Sequence, residues 1–305
     1  GEFLFRSGRE GEGPGEFRSL DILSVLPGDS LLTYDGTLER IQLFDPSGTF
    51  LRSLPPIKSP WPEFFPGEVI GVLDERRIAV RFLGGGTEVP TGVSRWPPEM
   101  VVALDLATGA ADSIVVVAGM ETVTTGEFGW SFFRLPFGIM NGFAARAGRV
   151  AVISTETIGA RVYYGSGGLE RIIRHPVPAR PATQEDWEDW LEEWKRSPYR
   201  LDGSPYPAEG VEQLLWAFEQ SPRADTWPQL RSVDFDAEGN LWLEREFGDP
   251  RPPYYVFPPQ GVWLGQLTLP PGRHRCFQFG EDFVLGVWKD ELDVPYVRMY
   301  ALIKG

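Results

Sequence analysis

The sequence predicts an all-β protein, a β-propeller with a helical hairpin inserted between two of its blades. Three observations predict it: abundant glycine and proline, a strand–turn–strand unit that recurs along the chain, and one segment whose apolar residues follow a helical period. The 305 residues include 35 glycines and 28 prolines, which turns use heavily. Aromatic residues make up 13% of the chain, and strands favour them.

The recurring unit is an apolar or alternating run, a few turn residues that include glycine, and a second run. Such a pattern is typical of a β-hairpin, in which glycine supplies the backbone conformation that a tight turn needs. Four copies are visible, at residues 41–54, 101–117, 160–173 and 254–267.

Two further strands are predicted upstream of each hairpin, so that each unit contains four strands. Complete units begin near Leu20, Glu68, Gly138 and Gln229. Four strands per unit, at spacings of about 40 to 50 residues where no insertion intervenes, are typical of a propeller blade. Five blades can be counted, if three strands at the C-terminus and one outer strand near the N-terminus form the fifth.

The two chain ends leave two alternatives for ring closure, which is needed because an open strand edge invites aggregation. In the first, a strand at residues 3–6 pairs with residues 294–302 and closes a five-bladed ring. In the second, a six-bladed ring lacks part of its first blade. We favour the first for the residues as they stand.

A different pattern occupies residues 181–228, where we expect a helical hairpin within a single propeller domain of residues 1–305. Thr183, with Asp186 three residues later, is a capping-box signature for the start of a helix. A second helix is predicted around residues 211–218, because its apolar residues recur at helical spacing.

The first predicted helix carries an apolar stripe of tryptophans and an acidic opposite side. Trp187, Trp190 and Trp194 recur at helical spacing, and Glu188 and Glu192 lie between them.

Two other stretches break the repeat, residues 84–98 and 119–138, and we expect both to be long loops.

Composition excludes several classes of function. The formal net charge of −14 disfavours binding to nucleic acid or to anionic membranes, which both need a basic surface. No apolar stretch is long enough to span a membrane. The single cysteine, Cys276, excludes an intrachain disulfide and is interpreted as a small buried apolar residue.

Residues 8–21, GREGEGPGEFRSLD, resemble the inter-blade loop of NHL-type repeats, where a glycine-rich turn leads into the next blade. Later segments, such as VDFDAEGNLWL at residues 233–243, follow in the order seen in bacterial six-bladed β-propeller proteins of the NHL/TolB-like kind. The resemblance covers nearly the whole chain and implies six blades and an extracytoplasmic (periplasmic or cell-surface) location. It implies no particular activity, because propellers host unrelated activities on one scaffold.

Chemical motifs are scarce. His175 and His274 are isolated from each other in sequence, and no spacing typical of a metal site occurs. Ser166 occupies a hairpin turn rather than a nucleophile elbow. No catalytic residue and no cofactor are predicted, although the acidic, glycine-rich residues 8–17 suit calcium better than phosphate.

We therefore expect a noncatalytic extracytoplasmic protein-interaction module or scaffold, such as an accessory subunit of a membrane-associated complex. Partner-binding candidates are Trp187, Trp190 and Trp194 with Glu188 and Glu192, since tryptophan anchors and a charged rim are common at interfaces. The tryptophans can instead pack against the blades. The alternatives are a hydrolase or lyase with a metal on the propeller axis, and a propeller that binds glycans or small molecules.

Overall fold

The computed structural model describes residues 5–85, 92–95, 97–125, 131–196, 208–246, 253–270, 273–290, 292 and 294–303. Within these ranges the chain forms successive groups of antiparallel strands, with two helices between the third and fourth groups of four strands. Neither helix of the described residues is long and apolar enough to cross a membrane.

The strands follow the chain as a series of blades. Two parallel strands come first, β1 (Arg9–Glu10) and β2 (Glu16–Phe17). Blade 1 then contains β3 (Ile22–Val25), β4 (Leu31–Asp35), β5 (Arg40–Phe44) and β6 (Phe50–Ser53). Blade 2 contains β7 (Phe64–Val72), β8 (Arg77–Gly84), β10 (Glu99–Asp105) and β11 (Ala111–Val117), while β9 (Gly92–Arg95) joins a separate sheet with β12 (Glu121–Thr125) and β13 (Ser131–Arg134).

The second half continues the pattern around the two helices. Blade 3 contains β14 (Asn141–Arg146), β15 (Arg149–Ser154), β16 (Gly159–Tyr164) and β17 (Leu169–Arg174). The helical hairpin consists of α1 (Gln184–Arg196) and α2 (Ala208–Gln220). Blade 4 contains β18 (Leu230–Phe235), β19 (Leu241–Arg245), β20 (Tyr254–Phe257) and β21 (Gly265–Leu267), and blade 5 contains β22 (Arg273–Phe279), β23 (Phe283–Lys289) and β24 (Pro295–Ala301).

This architecture confirms the predicted all-β propeller class with an inserted helical hairpin. The four predicted hairpins are the third and fourth strands of blades 1 to 4, and each predicted unit start lies within a few residues of a first strand. Of the 24 described strands, 19 form five blades, of which blade 5 has three strands. The sixth blade that the family resemblance implies stays a prediction.

Apolar contacts between consecutive blades form the core. Leu32 of blade 1 packs in one cluster with Phe82 of blade 2, and Ile153 of blade 3 packs in another with Leu243 of blade 4. A third cluster joins blades 2 and 3. In the fourth, between blades 4 and 5, the ring of Trp242 stacks on that of Phe279 with centroids 4.4 Å apart. Each sheet thus removes apolar surface from water against its neighbours.

Blades 2 and 3 come into direct backbone contact at their first strands. β7 and β14 pair in parallel over two residues, with Gly71 opposite Ala145. A Cβ atom at residue 71 would overlap the carbonyl oxygen of Ala145. Glycine is therefore required for this close approach, which joins the two blades into one eight-stranded sheet.

The two stretches predicted as loops contain strands, so that expectation was wrong in part. β9 comes from the first stretch and pairs with β12 from the second, and β12 also pairs with β13. Pairing between segments that are distant in sequence leaves no local pattern strong enough to identify each strand alone.

The predicted strand at residues 3–6 lies partly outside the described residues, which begin at Phe5. Phe5 and Arg6 belong to no strand. The Ser7 hydroxyl donates to the carbonyl oxygen of Gly48, 2.5 Å away, and a Cβ at residue 48 would overlap the ring of Phe5. The described part of this segment therefore lies against blade 1, and β24 pairs with β23.

A buried aspartate closes the first turn of blade 4. Asp236 is 0% exposed, and its carboxylate accepts hydrogen bonds from the backbone of Glu238 and Asn240 at 2.9 and 2.8 Å. It also accepts from the Asn240 amide at 2.7 Å and from the Trp242 indole N–H at 3.0 Å. Asn240 is thus a turn residue, as its sequence context predicts.

We expect Asp236→Ala to lower the free energy of unfolding by about 3 kcal/mol, because buried donors lose a charged acceptor. Urea denaturation followed by tryptophan fluorescence measures the change. Asp45→Ala is the matched control, since Asp45 accepts from Ser47 and Thr49 in a more exposed turn, and should cost about 1 kcal/mol. Equal losses for the two variants would contradict the role given to burial.

Candidate functional site

The connections of the propeller divide between two ends of the blades. Because neighbouring strands are antiparallel, the connections from first to second and from third to fourth strands lie at one end, which we call the turn end. The remaining connections lie at the other, the insertion end. The five longest connections between described blade strands, residues 54–63, 85–98, 118–140, 175–229 and 246–253, all begin and end at the insertion end. Long connections on a rigid scaffold often carry function.

The helical hairpin has its own apolar core. Trp187 is 4% exposed and packs with Leu214 and Phe218 of α2. Phe137, from the connection between blades 2 and 3, packs edge-on against Trp187 and Trp190, with ring centroids 6.2 and 6.0 Å apart. The hairpin therefore rests on a neighbouring long connection.

The predicted partner-binding residues fall into two groups. Trp187 is buried, and Trp190 and Trp194 are half-buried, each with its ring centroid 5.1 Å from that of Phe218. Glu188 and Glu192 are exposed. The tryptophan stripe thus packs mainly inside the hairpin, and the carboxylates are the members of the set that a partner could reach. Partner binding by this set remains a prediction.

The start of α1 is held by the capping box that the sequence predicts. The backbone N–H and the hydroxyl of Thr183 both donate to the carboxylate of Asp186 at 2.8 Å, and the Asp186 N–H donates to the Thr183 hydroxyl at 3.2 Å. Arg180 forms an ion pair with the same carboxylate and stacks over Trp227 with its guanidinium carbon 4.8 Å from the ring centroid. Hydrogen bonds from the Trp227 indole and Thr183, with the charge of Arg180, lower the pKa of Asp186 to about 2.

The incoming and outgoing segments of the hairpin are joined by backbone hydrogen bonds. The N–H of Ala182 donates to the carbonyl of Asp225 at 2.9 Å, and that of Trp227 donates to Arg180 at 3.0 Å. The hairpin is therefore closed at its base, in addition to the clamp formed by Arg180, Asp186 and Trp227.

Two cavities lie at the insertion end on either side of Glu156. The larger, about 440 Å³, is lined by blade 3, by the end of β11 and by Gln229. The smaller, about 290 Å³, lies beside the hairpin base and is lined by Phe137, Arg223 and Trp227 among others. Sequence reasoning missed both, because their walls come from segments that are far apart in the chain.

A buried carboxylate, that of Glu99, is hydrogen-bonded to Asn141, which lines the larger cavity. Glu99 is 1% exposed, forms an ion pair with Arg81 at 3.1 Å and accepts from the Asn141 amide at 3.3 Å. Burial raises the pKa of Glu99, and the charge of Arg81 opposes that shift. Asn141 also donates to the carbonyl of Ala118 at 2.7 Å, so the group ties blade 2 to blade 3.

Two features of the described residues bear on metal binding. The part of the chain that the structure describes brings no three His, Cys, Asp or Glu residues together as a metal site. The ring of His175 packs against Tyr255 and Trp263, with centroids 5.2 and 4.9 Å apart. The side chains of His274 and Cys276 lie outside the described residues.

The acidic loop at residues 8–21 is folded on itself and onto blade 1. Glu16 accepts from the Gly13 N–H at 2.7 Å and from Arg9 at 2.6 Å, and these interactions lower its pKa. Glu12 pairs with Arg18 at 2.9 Å. Gln42, buried in blade 1, donates to the carbonyl of Glu16 at 3.0 Å. Calcium binding by this loop remains a prediction.

We expect Asp186→Asn to loosen the hairpin at neutral pH, with amide exchange in the first turn of α1 about fivefold faster. Because folding lowers the pKa of Asp186 from 3.8 to about 2, the stabilisation is complete above pH 4 and disappears as the pH falls towards 2. Hydrogen exchange measured by mass spectrometry tests the faster amide exchange at neutral pH. Tryptophan fluorescence measured between pH 4 and pH 2 follows the loss of stabilisation.

Asp189→Asn is the matched control, because Asp189 is an exposed carboxylate on the same helix. It should leave amide exchange unchanged. A fluorescence change between pH 4 and 2 that is the same in Asp186→Asn and in the parent chain would contradict the assignment to Asp186.

Comparisons with solved structures find similarity at low sequence identity. No protein-family model and no curated protein matches the chain. A member of the DUF4221 family from Bacteroides vulgatus has 8% identity and a TM-score of 0.47, with 95% of this chain and 81% of that chain covered. Virginiamycin B lyase from Staphylococcus aureus has 9% identity and a TM-score of 0.37, with 92% and 84% covered. At such low identities, function has to be argued from the residues of this chain.

Proposed function

We propose that this chain is a noncatalytic protein-interaction module that binds its partner at the insertion end. The observation that supports the proposal is that the five longest connections share that end, where two of them, residues 118–140 and 175–229, pack against each other through Phe137. A rigid scaffold that concentrates its long connections on one face is suited to recognition. The proposed module needs no resident cofactor, and calcium is the ion to test.

The accessible face of α1 favours a basic partner. Its exposed carboxylates are those of Glu185, Glu188, Asp189, Glu192 and Glu193. The chain as a whole carries a formal net charge of −14, which adds a long-range attraction for positively charged surfaces. Such an arrangement speeds association and orients a basic protein more than it sets the final affinity.

The anchoring of the hairpin supports a preformed binding surface. Its base is closed by backbone hydrogen bonds, and the ion pair between Arg180 and Asp186 fixes the start of α1. A surface that is ordered before binding loses less conformational entropy on association. The acidic face is therefore presented in a fixed orientation relative to blades 2 and 3.

We further propose an extracytoplasmic location and a role as an accessory subunit of a membrane-associated complex. The location is suggested by the resemblance to extracytoplasmic propellers, and the acidic surface favours a protein partner over nucleic acid.

We expect Glu188→Lys combined with Glu192→Lys to weaken partner binding at least about tenfold, because two attractive charges become repulsive. The tagged full chain is incubated with an envelope extract of the source organism, and the stoichiometry of co-purifying protein is measured by native mass spectrometry. Binding by the parent chain should weaken as salt is raised.

The charge-matched control combines Glu75→Lys with Glu281→Lys, two exposed residues at the turn end. It should bind like the parent chain. Recovery of no stoichiometric partner, or equal losses for both pairs of variants, would contradict binding through α1.

A further inference from the structure

The larger cavity opens where two strands of blade 3 separate. β15 and β16 are paired from Arg149 opposite Tyr164 to Val152 opposite Arg161, and the pairing ends there. β16 continues to pair with β17 as far as Gly159 opposite Arg174. The unpaired ends of β15 and β16 diverge towards the insertion end, and the cavity of about 440 Å³ lies between them. We call this cavity the blade 3 cleft. Its volume falls within the range of about 300 to 1,000 Å³ that is usual for small-ligand sites.

The walls of the blade 3 cleft combine apolar and polar groups, and one of the polar groups is unsatisfied. Ile153, Ile158 and Ile173 line it but are buried in the core between blades 3 and 4, whereas Ile172, which is 44% exposed, lines it on the face that carries two arginines. Gln229, which is 6% exposed, also lines it and donates from Nε2 to the carbonyl of Glu156 at 3.0 Å. Within the described residues, the buried Oε1 of Gln229 accepts no hydrogen bond. A buried acceptor without a donor is costly, so a ligand that brings an N–H or O–H would gain from this position.

Arg161 and Arg174 line the cleft together with the exposed carboxylate of Glu156, so two positive charges and one negative charge leave it a formal charge of +1. Arg161 is opposite Ile172 and Arg174 is opposite Gly159, so both arginines lie on the same face of the hairpin as diagonal neighbours. Both are exposed and line the cleft. Nearby Arg149 and Arg171 form ion pairs with Glu170, whereas Arg161 and Arg174 form none among the described residues.

We propose that the blade 3 cleft binds the C-terminal end of a partner polypeptide. A terminal carboxylate would pair with Arg161 and Arg174, a backbone N–H would donate to Oε1 of Gln229, and an apolar side chain would pack against Ile172, which lies opposite Arg161 and is exposed. An extended peptide terminus is the ligand that combines an anionic end, backbone donors and apolar groups. This inference deepens the proposed function and rests on it, because the peptide is the end of the protein partner proposed there.

Binding is tested by fluorescence polarisation with the full chain and a labelled pool of tetrapeptides made of Ala, Val, Leu and Ile. One pool ends in a free carboxylate and the other in an amide. We expect saturable binding of the free-acid pool and at least about tenfold weaker binding of the amide pool, since a charged contact is lost. No saturable binding of the free-acid pool, or equal binding of both pools, would overturn the proposal.

Arg161→Gln combined with Arg174→Gln should weaken binding of the free-acid pool by a similar factor. Arg52→Gln, an exposed arginine on β6 of blade 1, is the matched control and should leave binding unchanged. Gln229→Met should weaken both pools equally, because it removes the acceptor of a backbone N–H. If the double arginine variant binds like the parent chain, the cleft is not the carboxylate site.

Octanoate serves as a competitor to separate a peptide site from a site for small apolar acids. Weak or absent competition supports the peptide proposal, and displacement at lower concentration than the unlabelled free-acid pool overturns it.

If the peptides fail to bind while partner capture still depends on Glu188 and Glu192, only this inference fails. If the peptides bind and no partner is captured, the cleft stands and binding through α1 fails.

Discussion

Apolar packing between consecutive blades is the interaction on which the rest of the structure depends. Each blade carries apolar side chains on both faces, so a single blade cannot remove them all from water. Four apolar clusters bury these faces, because blade 1 packs on blade 2, blade 2 on blade 3, blade 3 on blade 4 and blade 4 on blade 5. At the two ends of the series, β3 and β24 expose apolar residues that the described residues do not cover, with Val25 at 61% and Val297 at 74%.

This packing also explains why the insertions can be large. Short turns closed by buried or partly buried aspartates such as Asp236 keep the turn end compact. At the insertion end, each blade is already held by its neighbours, so long connections add little strain to the core. The helical hairpin then brings its own core, with Trp187 at the centre and the clamp between Arg180 and Asp186 at its base. The blades thus form a rigid scaffold that holds the acidic face of α1 in place.

The candidate site shows where local patterns are informative and where they are not. Helical spacing identified the stripe of Trp187, Trp190 and Trp194, because burial of one face of a helix leaves a period in the sequence. Spacing alone did not show which residues the stripe packs against, and the structure places α2 and Phe137 there. No local sequence pattern indicated the blade 3 cleft. Gln229 and Arg161 line the same cavity only because blade 3 packs against the segment that leads into β18.

By itself, the sequence determined the strand–turn–strand units, their grouping into blades, the helical hairpin and its capping box at Thr183 and Asp186. These features depend on contacts within a few residues or on the alternation of one strand, so they leave a local pattern. The tertiary structure alone decided that β9 pairs with β12, that Gly71 lies against Ala145 and that β15 separates from β16. Those features depend on which distant segments meet, and that choice is made by burial of the whole core rather than by any local residue pattern.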